Sequence, residues 1–130
     1  MNSILITGGT GFIGQNLVKF FQNKYKIFII DNYSSSGVNR NYLFDRKKVK
    51  IIKKDISKFD DLTKVLNKLQ IDYVIHAAAH FANENSILNP EKDLNPNILG
   101  TLNLLRYFKK KNIKKFIYLS SSCVYGEIPV

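Results

Sequence analysis

The stretch that decides the fold is Thr7-Gly8-Gly9-Thr10-Gly11-Phe12-Ile13-Gly14. A continuous apolar run, Ile4-Leu5-Ile6, comes before it, and apolar side chains at helical spacing follow it. This pattern predicts a buried strand over residues 2–7, a glycine turn, and a helix over residues 12–23. Between a strand and a helix, the spacing Gly-x-x-Gly-x-x-Gly is typical of a turn that binds a dinucleotide pyrophosphate.

Each glycine has its own predicted role in this turn. Gly8 allows the chain to turn tightly, Gly11 lets the pyrophosphate approach the backbone, and Gly14 lets the helix pack close to the sheet. The helix that begins at Phe12 and Ile13 supplies free N–H groups and a partial positive charge for the phosphates. We therefore expect this turn and the start of its helix to bind the cofactor.

Further apolar runs predict strands at residues 26–30, 49–52, 73–76 and 116–120, with helical patterns between them. This alternation predicts an α/β protein, a three-layer Rossmann fold with a parallel sheet. The 130 residues suit one dinucleotide-binding domain.

Local signals predict where the helices begin and break. Ser57 and Asp60 have the spacing of a capping box, and Asn89-Pro90 has the pattern of a helix start. Pro96 lies inside an otherwise helical stretch, so we expect the helix to be kinked or interrupted near Asn95.

Asp31 ends the second predicted strand, 17 residues after Gly14. A carboxylate at this place can accept both hydroxyls of the adenosine ribose and would repel a 2′-phosphate, which favours NAD over NADP. Asn32 offers neutral support to the same ribose. Asp55, at the end of the third strand, is a candidate partner for the adenine amino group; an ordinary strand-end aspartate is the alternative.

Composition excludes several classes of protein. The chain is 45% apolar and 23% charged, which suits a folded domain. No apolar run reaches the roughly 20 residues that span a bilayer, and the first residues do not resemble a signal peptide. One cysteine excludes an internal disulfide framework, so we expect a cytoplasmic protein without membrane partners.

The formal net charge of +10 is concentrated in two blocks, residues 46–70 and 106–130. Nearly all of these cations are lysines, whereas planar readout of phosphates and bases favours arginine. A solvated surface is therefore the favoured interpretation. A nucleic-acid partner is not expected, although a basic interaction protein remains an alternative.

Together these motifs resemble the extended short-chain dehydrogenases/reductases, the NAD-dependent epimerases and dehydratases of nucleotide sugars. The resemblance rests on the glycine turn and on five later segments, which are Asp31-Asn32, Asp55-Ile56, His76-Ala77-Ala78-Ala79, Asn97-Ile98-Leu99-Gly100-Thr101 and Ser120-Ser121-Ser122-Cys123-Val124-Tyr125-Gly126. It implies NAD as the cofactor. The cofactor contacts that it adds are Ile56, Ala77, Ala78, Ala79, Asn97 and Ser120.

The resemblance also implies a chemistry. In the family a tyrosine base, with a lysine four residues later, removes a proton from the sugar 4-hydroxyl while a hydride passes to NAD. Ser121 matches the serine or threonine that hydrogen-bonds the reacting oxygen and is the predicted catalytic residue. Dehydratases carry Asp-Glu where this chain has Ser122-Cys123, which favours a 4-epimerase.

By this resemblance, the Tyr-x-x-x-Lys pair of the family would lie beyond Val130. The same spacing occurs at Tyr107 and Lys111, but these residues fall on a predicted helix before the fifth strand. We therefore expect these 130 residues alone to be inactive, because proton abstraction needs a positioned base. The resemblance implies that residues 1–130 are a Rossmann domain truncated after the fifth strand, without the substrate domain of the family. It also implies that the nucleotide-sugar substrate and a complete homodimer interface belong to a longer parent enzyme. The fifth strand would be an exposed sheet edge.

Two alternatives concern function and metal binding. The chain could be a non-catalytic NAD-binding or regulatory module. His76, His80 and Cys123 could be metal ligands, but packed or cleft-lining histidines are the favoured interpretation, and we expect no metal. Nothing predicts a low pKa for Cys123, so a nucleophilic role is not expected.

Overall fold

A computed structural model describes residues 1–35, 44–45, 47–81 and 83–126. Its five strands are parallel and have the spatial order β3-β2-β1-β4-β5. Their bounds are Ser3–Thr7 for β1, Lys26–Asp31 for β2, Val49–Lys53 for β3, Tyr73–His76 for β4 and Lys115–Tyr118 for β5. The predicted α/β Rossmann fold is confirmed, and so is the position of the fifth strand at an edge of the sheet.

Helices connect these strands. Their bounds are Phe12–Phe21 for α1, Phe59–Leu66 for α2, Asn83–Leu88 for α3, Glu91–Asp93 for α4 and Thr101–Phe108 for α5. A π-helical segment, Leu94–Gly100, joins α4 to α5, and a 3₁₀ turn, Ser122–Tyr125, follows β5. No helix in the described ranges is long and apolar enough to cross a membrane.

Two apolar clusters hold the three layers together. On one face of the sheet, Leu62 and Leu66 of α2 and Leu104 of α5 pack on side chains such as Leu5. On the other face, Val18 of α1 packs on Ile4, Ile6, Ile27 and Ile29. The continuous apolar runs of β1 and β2 are buried on both faces because helices cover both, as is usual for a parallel sheet.

The π-helical segment contains Pro96, so the regular α-helical hydrogen-bond pattern is interrupted there as predicted. Proline has no N–H to donate and its ring crowds the preceding turn, so it disfavours regular α-helix. The segment returns to α-helix at Thr101. This interruption directs the backbone of residues 94–100 past the carboxyl ends of the strands.

Two local predictions were wrong. The capping box at Ser57 does not form, because α2 begins at Phe59 with Lys58 as its N-cap. Ser57 is buried, and its N–H donates to Asp55 Oδ1 at 2.8 Å instead. At the second site Pro90, and not Asn89, is the N-cap residue, and no side chain caps the helix. The short helix α3 was not predicted at all.

Candidate cofactor-binding site

The glycine turn lies at the carboxyl edge of the sheet, between β1 and α1. Gly8 has a φ of +67°, a conformation that favours glycine, and its N–H donates to the Ile30 carbonyl at 2.9 Å. A Cβ on Gly8 would lie 2.7 Å from Ala78 Cα. The turn therefore packs directly against the backbone that follows β4, and a side chain at this position would separate the two.

The turn leads into α1 with its N–H groups free of side-chain caps. Gln15 N–H makes the first intrahelical bond, to the Gly11 carbonyl at 2.9 Å, and no side chain caps Gly11. A Cβ on Gly14 would collide with the Gly8 carbonyl and lie 2.6 Å from Gly9 Cα, so Gly14 lets α1 pack on the turn itself. Phe12 and Ile13 are exposed beside it. This is the arrangement in which helix termini bind phosphates.

Asp31 faces the glycine turn. Its Oδ2 accepts the Thr10 N–H at 3.0 Å, and its Oδ1 accepts the Tyr33 N–H at 2.8 Å. Each carboxylate oxygen can accept more than one hydrogen bond, so both retain capacity for ribose hydroxyls. The two backbone bonds fix the carboxylate at the end of β2, next to the turn.

A cleft opens between these parts. The predicted site residues on its wall are Gly8, Gly11, Asp31, Asn32, Ile56, Ala77, Ala78 and Ala79. The structure thus brings together eight of the residues that the sequence predicts. Other wall residues were not predicted, among them Lys54, Ser34 and Pro96. Lys54 also pairs with Asp61 at 3.7 Å.

The alanine segment after β4 forms the wall opposite Asp31. Ala77 N–H donates to the Thr7 carbonyl at 3.2 Å, which continues the β1–β4 ladder beyond the strands. The predicted site residue Asn97 approaches this segment from the π-helix. Its side chain accepts the His80 N–H at 2.8 Å and donates to the His80 carbonyl at 3.0 Å. Asn97 therefore clamps the end of the alanine segment.

Comparison with known proteins assigns the family. The family model described as "NAD dependent epimerase/dehydratase family" matches residues 4–130. The chain belongs to this family. The cofactor of this family is NAD.

Named relatives include both reaction types of the family. A bifunctional UDP-glucose 4-epimerase and UDP-xylose 4-epimerase of Pisum sativum is 35% identical over 132 residues, which are 95% of this chain and 38% of the relative. A dTDP-D-glucose 4,6-dehydratase of Dictyostelium discoideum is 38% identical over 131 residues, which cover 97% and 30%. The UDP-glucose 4-epimerase of Bifidobacterium longum, solved with NAD+ and UDP, is 32% identical with a TM-score of 0.80 and coverage of 99% and 41%. The chain thus spans at most about two-fifths of these relatives.

The cleft of this epimerase/dehydratase-family chain fits NAD at its adenosine and pyrophosphate ends. A Cβ on Gly11 would meet only the Gly8 carbonyl, at 3.3 Å, so the backbone there is open to a large ligand. Asp31 supplies an acceptor for hydroxyls at one end. Together with the uncapped start of α1, these groups suit a diphosphate joined to a ribose.

Seven of the predicted residues lie outside the wall of this cleft, namely Phe12, Ile13, Gly14, Asp55, Asn97, Ser120 and Ser121. Asp55 Oδ1 accepts the Ser57 N–H, which is a strand-end role. Ser120 has a φ of +51° and, like Ser121, is exposed after β5. Ser121 Oγ accepts the Cys123 N–H at 3.2 Å and so caps the 3₁₀ turn. The glycine turn, Asp31 and the alanine segment thus line one cleft, whereas the serine segment is not part of its wall.

The histidines have partners of their own. Both ring nitrogens of His76 hydrogen-bond threonines, Thr7 at 2.6 Å and Thr101 at 2.8 Å, and burial lowers its pKa to about 4. His80 Nδ1 lies 2.7 Å from Asp93 Oδ1, and hydrogen bonds from Ser86 and His80 hold the pKa of Asp93 below its usual value. Among the described residues, no group of three His, Cys, Asp or Glu side chains could hold a metal ion.

The Tyr107–Lys111 pair lies away from the cleft. The Tyr107 hydroxyl donates to Asn67 Oδ1 at 2.9 Å, at the end of α2, and the Lys111 ammonium lies 4.9 Å from the Tyr107 ring. The ring also packs on the apolar core below α5. Sequence spacing alone would have misassigned this pair.

Residues that sequence reasoning missed act mostly behind the site. Buried Asn103 donates to the carbonyls of Ile56 and Ser57, both at 3.0 Å, and so fixes the loop after β3. Thr7 and Thr101 contact His76 from two sides. Polar residues at otherwise apolar helix or strand positions are the only signal that could have found them.

Proposed function

We propose that this chain binds NAD, with the pyrophosphate at the start of α1 and the adenosine ribose at Asp31. One observation supports this above all: the Thr10 N–H, inside the glycine turn, donates to the Asp31 carboxylate at 3.0 Å. The two sequence motifs, 17 residues apart in the chain, are therefore hydrogen-bonded to each other. Charge on Asp31 would repel a 2′-phosphate, so we propose NAD over NADP.

The remaining predicted contacts extend this proposal along the cleft. Ile56 is a wall residue near the adenine end, and Asp55 is the proposed partner of the adenine amino group. Ala77, Ala78 and Ala79 would line the path toward the nicotinamide, with Asn97 and Ser120 beyond them. Small side chains on that path let the backbone itself face the cofactor.

The proposed reaction of the parent enzyme is 4-epimerisation of a nucleotide sugar. Bound in the cleft, NAD would supply the hydride acceptor for the sugar C4. Ser121 would hydrogen-bond the reacting sugar oxygen, because its hydroxyl is exposed at the end of β5. Ser122-Cys123, in place of the dehydratase Asp-Glu, favours epimerisation. Overall identity does not decide this point, because a dehydratase is 38% identical to the chain.

We propose that these 130 residues bind the cofactor without catalysing epimerisation. Support comes from Tyr107, which is bonded to Asn67 on the helix layer and is not at the cleft. A turnover assay of the chain with NAD and UDP-galactose should show no UDP-glucose above background. Measurable turnover would contradict this part of the proposal.

The proposed homodimer would use an apolar stripe on the helix layer. Leu94, Ile98, Leu102 and Leu105 recur at helical spacing and are each about half exposed. A stripe of this kind is unusual on a free surface. A nucleotide-sugar substrate and a cytoplasmic location, which suits the free exposed Cys123, complete the proposal.

Calorimetric titration with NAD tests the binding proposal. We expect saturable binding, and about tenfold weaker binding for Asp31→Asn, because a charge-assisted hydrogen bond to the ribose is lost. The ratio of the dissociation constant for NADP to that for NAD should decrease in the same variant. Asp60→Asn, which removes the same charge from the exposed start of α2, is the matched control and should bind like the parent chain.

Two results would contradict the proposal. One is the absence of binding at millimolar NAD. The other is an Asp31→Asn variant that binds NAD as tightly as the parent chain does.

A further inference from the structure

The alanine wall, residues 77–80, is held at both ends by one chain of hydrogen bonds. At its first end, Ala77 N–H donates to the Thr7 carbonyl and Ala78 N–H donates to Thr7 Oγ1, each at 3.2 Å. At its last end, the Asn97 side chain clamps both backbone groups of His80. The two ends are connected through His76.

The connection fixes the protonation of the His76 ring. Thr101 donates its only hydroxyl proton to the Asn97 carbonyl at 2.7 Å, so its oxygen can only accept from His76 Nε2. His76 Nε2 therefore carries the proton. Nδ1 is then an acceptor, and the Thr7 hydroxyl donates to it at 2.6 Å.

Each threonine hydroxyl and each ring nitrogen in this series of hydrogen bonds then has a partner. Thr7 Oγ1 accepts from Ala78 and donates to His76, while Thr101 Oγ1 accepts from His76 and donates to Asn97. Only 1% of His76 is exposed, and the rings of Phe116 and Tyr118 lie beside it. A buried polar chain that is fully satisfied holds its members in one arrangement.

The position of this wall controls the width of the cleft. Ala78 is in direct contact with Gly8, because a Cβ on Gly8 would lie 2.7 Å from Ala78 Cα and 2.8 Å from Ala78 N. A shift of the wall by 1 Å would therefore move it into or away from the phosphate-binding turn. Binding sites lose affinity when the groups that line them are displaced by such amounts.

We propose that His76, as the neutral Nε2–H tautomer, is a positioning residue that sets the place of the alanine wall and thereby the affinity for NAD. This inference rests on the proposed NAD binding. Thr101 serves the same role, because it fixes the tautomer and joins β4 to the π-helix. Neither side chain needs to touch the cofactor.

The test compares Thr101→Val with Thr101→Ser. Valine keeps the shape of threonine but leaves Nε2–H without an acceptor, so the dissociation constant for NAD should rise about tenfold. Serine keeps the hydroxyl, so the dissociation constant of Thr101→Ser for NAD should stay within about twofold of the parent value. Ile27→Ala is the control for general destabilisation, because Ile27 is buried near the start of β2, in the cluster on the other face of the sheet, and is not part of the cleft wall. It should lower the thermal midpoint while leaving the NAD affinity unchanged.

Nitrogen-15 NMR of the parent chain gives a second, independent measurement. It should report His76 with a protonated Nε2 and an unprotonated Nδ1 at pH 7. An Nδ1–H tautomer would overturn the inference, and so would Thr101→Val binding NAD like the parent chain. If the parent chain itself fails to bind NAD, the proposed function fails first, a result separate from any effect of Thr101.

Discussion

The two halves of the predicted site, the cleft and the serine segment after β5, differ in how firmly the protein holds them. In the adenosine half, backbone N–H groups of the turn donate to the Ile30 carbonyl and to the Asp31 carboxylate, and Gly8 is in contact with Ala78. In the serine half, residues 120–126 are exposed, and a Cβ on Gly126 would meet nothing within 4 Å. The first half is therefore held in place by contacts within this chain, whereas the second half has few contacts that define its position.

Alanine substitution of the two glycines with positive φ tests this comparison most strongly. Gly8 and Gly126 have φ values of +67° and +66°, so alanine is strained at both. Only Gly8→Ala adds a collision with the Ala78 backbone. We expect Gly8→Ala to lower the free energy of unfolding by about 4 kcal/mol and to abolish NAD binding. Gly126→Ala should cost about 1 kcal/mol and leave NAD binding intact.

Urea unfolding and NAD titration of both variants provide the measurements. Equal losses of stability at the two glycines would break the comparison. It would mean that the contact between the turn and the alanine wall contributes nothing beyond backbone conformation.

Acid should destabilise the chain through His76. Its pKa is about 4 in the folded state and 6.5 when unfolded, so between these values the unfolded chain binds a proton that the folded chain does not. Stability therefore falls as the pH drops below about 6.5. From pH 7.5 to pH 4.5 the loss from this group should be roughly 2–3 kcal/mol. Asp72 and Asp93, whose pKa values lie below their usual range, lose their contributions at lower pH.

Urea melts over that pH range, on the parent chain and on His76→Asn, test this prediction. The variant lacks the imidazole, so its stability should change less between pH 7.5 and pH 4.5, whatever its absolute value. An identical pH slope in the two proteins would show that His76 is not the group that titrates.

The smallest effect is expected in the serine half. Ser121→Ala removes the Oγ that accepts the Cys123 N–H, an exposed cap worth about 0.5–1 kcal/mol. NAD affinity should stay within twofold of the parent value, because Ser121 is not part of the cleft wall. A tenfold loss of affinity would show that the serine segment moves onto the cofactor when NAD binds.

The sheet was predictable because its central strands are continuous apolar runs separated by recognisable turns. The glycine turn also identifies the first β–α connection. Helix α3 was not, because the sequence Asn83–Leu88 has no apolar period. Asp31 could be assigned to the cleft because its motif is local to β2. The link of His76 to Thr101 joins residues 25 apart through side chains, and no pattern along the chain predicts such a pair.

The two edge strands of the sheet, β3 and β5, differ in the side chains that they expose. Along β3 the exposed positions are Lys50 and Lys53, and charges of this kind repel a further strand. Along β5 they include Ile117 and Tyr118, which are 40% and 54% exposed. An extended polypeptide would therefore add to the sheet beside β5 and not beside β3. We expect purified chain stored at high concentration to self-associate through β5.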